Sequence, residues 1–146
     1  MGKEGKNGLT VLVQRIDDPT QEYAVKLFKP SKSMSNIQKE YAFLQRASNQ
    51  GLAPKLHNIF GKLQQSHKCF VMDKLDMTLE DFIRIQKGLT KTQQHEIIQL
   101  YINLDKLGIL HNDENIGKNI MWSKKKNKFF LIDFGFSKEI NKQNKN

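Results

Sequence analysis

Apolar and polar residues alternate at Leu9, Val11 and Val13, and again at Tyr23, Val25 and Leu27, a period of two that predicts two strands. The Asp17-Asp18-Pro19-Thr20 cluster between them predicts a turn, and Pro30-Ser31 ends the second strand. Ser35 as N-cap predicts a helix to about Arg46 that buries Ile37, Tyr41 and Leu44 on one face. Gly51 to Pro54 breaks the chain, and two more strands are predicted near Leu56–Leu63 and Cys69–Asp73. Beyond these the period lengthens. Thr78, with Asp81 three residues on, caps a short helix that ends at Gly88. Thr90 or Thr92 opens a longer one, with Ile97, Leu100, Tyr101, Leu104 and Leu107 at helical spacing and Gly108 as its stop. Short strands at Ile120–Trp122 and Phe129–Ile132 then flank Lys124-Lys125-Lys126. The order predicts an α+β fold: a β-rich amino-terminal part with one helix, followed by a helical part with a hairpin.

Bulk properties narrow the function classes. A chain of 146 residues suits one domain or two small lobes sharing a cleft. No run approaches the ~20 apolar residues of a bilayer span, and the polar stretch Met1–Asn7 does not read as a secretory signal. Gly2 does not complete a myristoylation motif, because Lys6 stands where Ser or Thr is required. Cys69 is the single cysteine, which excludes an internal disulfide and a cysteine-cluster metal site and leads us to expect an intracellular, cytoplasmic protein. The net charge of +9 allows a polyanionic partner. However, the lysines are scattered, and no stacking or base-reading pattern accompanies them. Nucleic acid is therefore the less favoured partner, and no membrane partner is expected. Residues 141–146 are polar and of low complexity, and are expected to be disordered.

Three segments carry chemistry. His111-Asn112-Asp113 follows the long helix, Asn119-Ile120-Met121 opens a strand, and Asp133-Phe134-Gly135 ends the next strand. Phosphoryl transfer needs positioning and charge neutralisation more than covalent help. Asp133 would chelate Mg2+ between phosphates, and the Asn119 oxygen would complete the metal shell without adding charge. Asp113 would accept the proton of, or orient, an attacking hydroxyl. Each segment alone is common; their conjunction in this order is not.

Together the segments resemble the catalytic and metal-binding loops of the protein-kinase superfamily. Tyr23-Ala24-Val25-Lys26 resembles that family's strand-borne Val-Ala-Ile-Lys, which implies that Lys26 contacts the α- and β-phosphates of ATP. Glu40 falls on the next helix, where the family keeps an acid paired with that lysine. Cys69–Leu75 resembles the hinge, so Met72 would close the back of the pocket and the backbones of Asp73 and Leu75 would bond adenine. Gly5 and Gly8 fit the second half of the Gly-x-Gly-x-x-Gly loop that covers the phosphates; the alternative is a flexible tail, and the strand that should precede the loop is expected to be missing.

Three departures qualify the resemblance. Asp113 and Asn119 are six apart where the family pattern has five, Asn112 replaces the usual arginine, and no Ala-Pro-Glu follows Gly135. The resemblance is thus to truncated minimal kinases, such as short bacterial-effector or viral ones. It implies a two-lobe domain over residues 1–140, with an N-lobe of about 1–73 and a truncated helical C-lobe of about 74–140 that carries a catalytic β-hairpin. The implied activity is ATP- and Mg2+-dependent phosphotransfer of the serine/threonine protein-kinase type. The alternatives are a pseudokinase serving as an ATP-binding interaction module, or a kinase-like ATPase associated with nucleic acid. A protein substrate or regulatory protein is expected on the helical lobe, where Ile97, Ile98, Leu100, Tyr101, Ile102, Leu104 and Leu107 surround residues 93–108.

Overall fold

The alternating segments form strands in the computed structural model, which describes residues 3–5, 8–14, 18, 20, 22–57 and 68–140. Strands β1 (Lys3–Gly5), β2 (Gly8–Gln14), β3 (Glu22–Phe28), β4 (Leu56–His57) and β5 (Cys69–Asp73) build an antiparallel sheet in the order β1-β2-β3-β5-β4. Period two sorts its residues onto opposite faces. Ala24, Phe28, Phe70 and Met72 join the main core, while Tyr23, Val25 and Val71 form a smaller cluster on the other side. The remainder of the expected Leu56–Leu63 strand, and most of the expected turn at 17–20, lie outside the described residues. Gly5 ends β1 and Gly8 opens β2, and the two are paired, so both glycines lie in strands and not in a flexible tail. Gly2 lies outside the described residues.

Helix α1 (Met34–Asn49) starts earlier than expected, because the cap is Ser33 and not Ser35: the Ser33 hydroxyl accepts the Asn36 N–H at 3.2 Å. It also runs past Arg46, since no breaker intervenes before Gly51, whose φ of 72° suits glycine. Its buried stripe is Ile37, Glu40, Phe43, Leu44 and Ala47, with Tyr41 half-buried against Phe70. A carboxylate thus sits in an otherwise apolar stripe.

The remaining elements are β6 (Met77–Thr78), α2 (Leu79–Gln86), α3 (Lys91–Lys106), β7 (Ile109–Leu110), α4 (Ile116–Asn119), β8 (Ile120–Ser123), β9 (Lys128–Leu131) and β10 (Lys138–Glu139). Thr78 caps α2 through the Asp81 N–H. Thr90, not Thr92, caps α3: its hydroxyl accepts the Gln93 N–H, and the Gln93 side chain accepts the Thr90 N–H in return. Strands β6, β8 and β9 form one sheet, and β7 pairs with β10. α3 sends Leu100 and Leu104 into the core and packs Ile97, Tyr101 and Leu107 at its edge, while Ile98 and Ile102 remain 56% and 43% exposed. Among the described residues no helix is long and apolar enough to cross a membrane.

Candidate active site

Lys26 stands on β3 opposite Thr10 and Phe70, on the face of the sheet that looks toward α1. Its ammonium donates to Glu40 Oε2 at 2.6 Å and to Asp133 Oδ1 at 3.4 Å. Glu40 is only 3% exposed, and an unpaired carboxylate there would be strongly unfavourable. Its second oxygen is satisfied by Lys32 Nζ at 3.2 Å. Lys26, on a strand, is therefore in direct contact with the helix residue expected to pair with it and with Asp133 on a loop far away in sequence.

Asp133 follows β9 and has φ of 60°, a left-handed conformation that Asp tolerates because its side chain can accept a nearby backbone N–H, here that of Gly135 at 3.3 Å. Phe134 then turns inward and is buried edge-to-face on His111, the ring centroids 5.1 Å apart. His111 Nε2 donates to the Ile132 carbonyl at 2.9 Å, and the Ile132 N–H donates to the Asn119 carbonyl at 2.8 Å. These bonds register the His111–Asp113 loop, Asn119 and Asp133 against one another. Asp113 is half-buried and accepts the Asn115 N–H at 3.1 Å. The Tyr101 phenol is raised above its usual value of 10.0 by burial and, secondarily, by the negative charge of Asp113. Residues 116–119 form the single helical turn α4, so Asn119 ends that turn instead of opening the strand.

An apolar cleft of about 160 Å³ lies between these groups and the hinge. Leu12 and Ala24 line it on the sheet side, Met121 and Ile132 on the other, and Met72 and Leu75 also border it. Such a slot suits a flat heterocycle. The Asp73 N–H is already bonded to the Lys55 carbonyl at 2.9 Å, and its carboxylate pairs with His57 at 2.6 Å. Of this residue's backbone, only the carbonyl could therefore serve adenine. Gly5 and Gly8 sit at the tip end of the β1–β2 hairpin; Lys6 and Asn7, between them, are outside the described residues.

The donor set fits Mg2+. Among the described residues no group of three His, Cys, Asp or Glu could hold a metal unaided. Asp133 and Asn119 instead offer a carboxylate and an amide oxygen, suited to an ion that keeps water and phosphate in its shell. Asn119 is buried, and its Nδ2 has no hydrogen-bond partner among the described residues. The amide nitrogen is thus not tied to a protein acceptor.

Sequence reasoning gave no role to Lys32, Met121, His111 or Phe134. All but Lys32 lie inside the recognised tripeptides, and His111 and Phe134 could have been assigned from them. Met121 is signalled only by its place two residues after Asn119, and nothing local marks Lys32.

No protein-family model matches the chain, and no curated protein sequence matches it. Among solved structures, the Cydia pomonella granulovirus kinase PK-1 superposes with a TM-score of 0.67 at 23% sequence identity. The match covers 95% of this chain and 52% of PK-1, so the chain spans about half the length of that kinase. With the element order and the register of the cleft, this similarity shows that the chain has a protein-kinase-like fold.

Proposed function

We propose that the chain binds ATP with Mg2+ in the cleft and transfers the γ-phosphate to a hydroxyl, that of a serine or threonine in a protein substrate. The observation that carries this reading is the contact of Lys26 with both Glu40 and Asp133, at 2.6 and 3.4 Å. Lys26 would hold the α- and β-phosphates, with Glu40 keeping it extended toward them. Met72, the Asp73 carbonyl and Leu75 would hold adenine, and Gly5 and Gly8 would let the hairpin backbone approach the phosphates. Asn119 and Asp133 would hold Mg2+, which when bound neutralises charge on the phosphate oxygens. Asp113 would orient the acceptor hydroxyl and take its proton as the oxygen bonds to γ-phosphorus and the bond to ADP breaks.

A second reading, nucleotide binding without turnover, draws support from the α4 turn between Asp113 and Asn119 and from Asn112 in place of an arginine. In either case Ile98 and Ile102 on α3 offer a docking surface for a protein substrate or regulator. Incubation with Mg2+ and γ-labelled ATP in the presence of a general protein acceptor, scored for labelled protein and for ADP, separates the readings. Labelled acceptor supports the kinase; tight nucleotide binding with neither product supports the second reading.

A further inference from the structure

Glu40 is held by two lysines, and only one of them belongs to the phosphate-binding strand. A carboxylate that is 3% exposed has two oxygens to satisfy, and Lys26 takes only Oε2. Lys32, in the turn between β3 and α1, takes Oε1 at 3.2 Å. It is not a surface lysine that happens to reach the site. Its side chain is 15% exposed, and its ammonium lies 5.0 Å from the centroid of the Phe28 ring, the same ring that the Lys26 ammonium meets at 5.2 Å. Its backbone is fixed as well: Lys68 Nζ donates to the carbonyls of Lys32 at 2.9 Å and of Pro30 at 3.1 Å.

We propose that Lys32 is a positioning residue for the nucleotide site: by holding Glu40 Oε1 it fixes the plane of the carboxylate and so aims Oε2 at Lys26. Bonds to both oxygens restrict rotation of the carboxylate, which a bond to one does not. Lys32 acts through Glu40 and Lys26, not by touching the substrate. This inference rests on the cleft being a nucleotide site, so the test reads nucleotide binding directly.

The test is a double-mutant cycle on the affinity for a fluorescent ATP analogue with Mg2+, with thermal melts to establish that each variant is folded at the assay temperature. Lys32→Met is expected to weaken binding on the order of tenfold, the loss of one charge-assisted hydrogen bond. Lys32→Arg is expected to recover most of it. In a Glu40→Gln background, Lys32→Met is expected to cause no further loss, because the residue it acts through has gone. If Lys32→Met melts below the assay temperature, Lys32→Gln, which keeps a donor and removes the charge, takes its place with the same expectation at reduced size. Native-like affinity in the folded Lys32 variant overturns the inference, as does an undiminished loss in the Glu40→Gln background. Failure of the unsubstituted protein to bind the analogue overturns the nucleotide site itself and this inference with it.

Discussion

Phe134→Ala should both destabilise the protein and uncouple the proposed nucleotide site. The ring is 1% exposed, and it packs edge-to-face on His111, whose imidazole bonds the Ile132 carbonyl one residue before Asp133. Truncating a buried Phe to Ala costs about 3–5 kcal/mol through lost transfer energy and the cavity left behind. Loss of the aromatic contact contributes on the order of 1 kcal/mol within that range. Domains of this kind are stable by only about 5–15 kcal/mol, so the melting temperature should fall by about 10–15 °C for a chain of this size. Phe134→Leu keeps most of the volume and should cost about 1 kcal/mol. The second effect is local: without the ring beneath it, the left-handed Asp133 loses the support that holds its carboxylate toward Lys26. Thermal melts followed by circular dichroism, with and without Mg2+ and a non-hydrolysable ATP analogue, read both effects. A nucleotide at 100 times its Kd stabilises by about 2.7 kcal/mol, and that shift should shrink in Phe134→Ala but persist in Phe134→Leu. A Phe134→Ala protein that melts within a few degrees of native, or keeps the full nucleotide shift, would refute the reasoning.

Lys26→Ala should abolish phosphotransfer while the protein still melts cooperatively, because Glu40 retains Lys32 as a partner; near-native turnover would remove Lys26 from the site. Tyr101 should titrate above the ordinary phenol value of 10.0, since burial and then the Asp113 charge raise it. A raised phenol favours the fold fully below its ordinary value of 10.0, and that contribution is lost as pH rises through the raised value. Alkaline absorbance titration of the native protein against Tyr101→Phe should isolate this late phenol, which Asp113→Asn brings part of the way back. Thr90→Ala removes one half of the capping box on α3 and should cost about 1 kcal/mol in chemical denaturation; Thr92→Ala, inside the helix, should cost less.

Long periodic elements were legible in the sequence. The strands at 22–28 and 69–73 and the helix at 91–106 each carry enough repeats of their period to be read locally. The two-residue strands β6, β7 and β10 were not, because a pair of residues has no period and owes its strand conformation to a distant partner: Glu139, for instance, pairs with Ile109. The start of α1 was misread because Ser33 and Ser35 are both good caps by residue type, and the choice depends on which hydroxyl meets a free N–H. In the candidate site, the residues within recognisable tripeptides could be named, and Glu40 could be placed by its position on the helix that follows the Lys26 strand. Lys32 could not: its contact with Glu40 depends on how the 29–33 turn folds under α1, which no local pattern encodes. The six-residue spacing of Asp113 and Asn119 was legible as a count, but the helical turn between them was not.

The central claim is that Asp133 serves catalysis of phosphoryl transfer, and one measurement tests it most directly. The native protein and Asp133→Ala are incubated with γ-labelled ATP, Mg2+ and a mixed protein acceptor, and label on protein is counted after each variant has been shown to be folded. The account predicts time-dependent transfer by the native protein, dependent on Mg2+ and absent in Asp133→Ala. Folded native protein that transfers no label under these conditions, or an Asp133→Ala variant that transfers it at the native rate, would contradict the account.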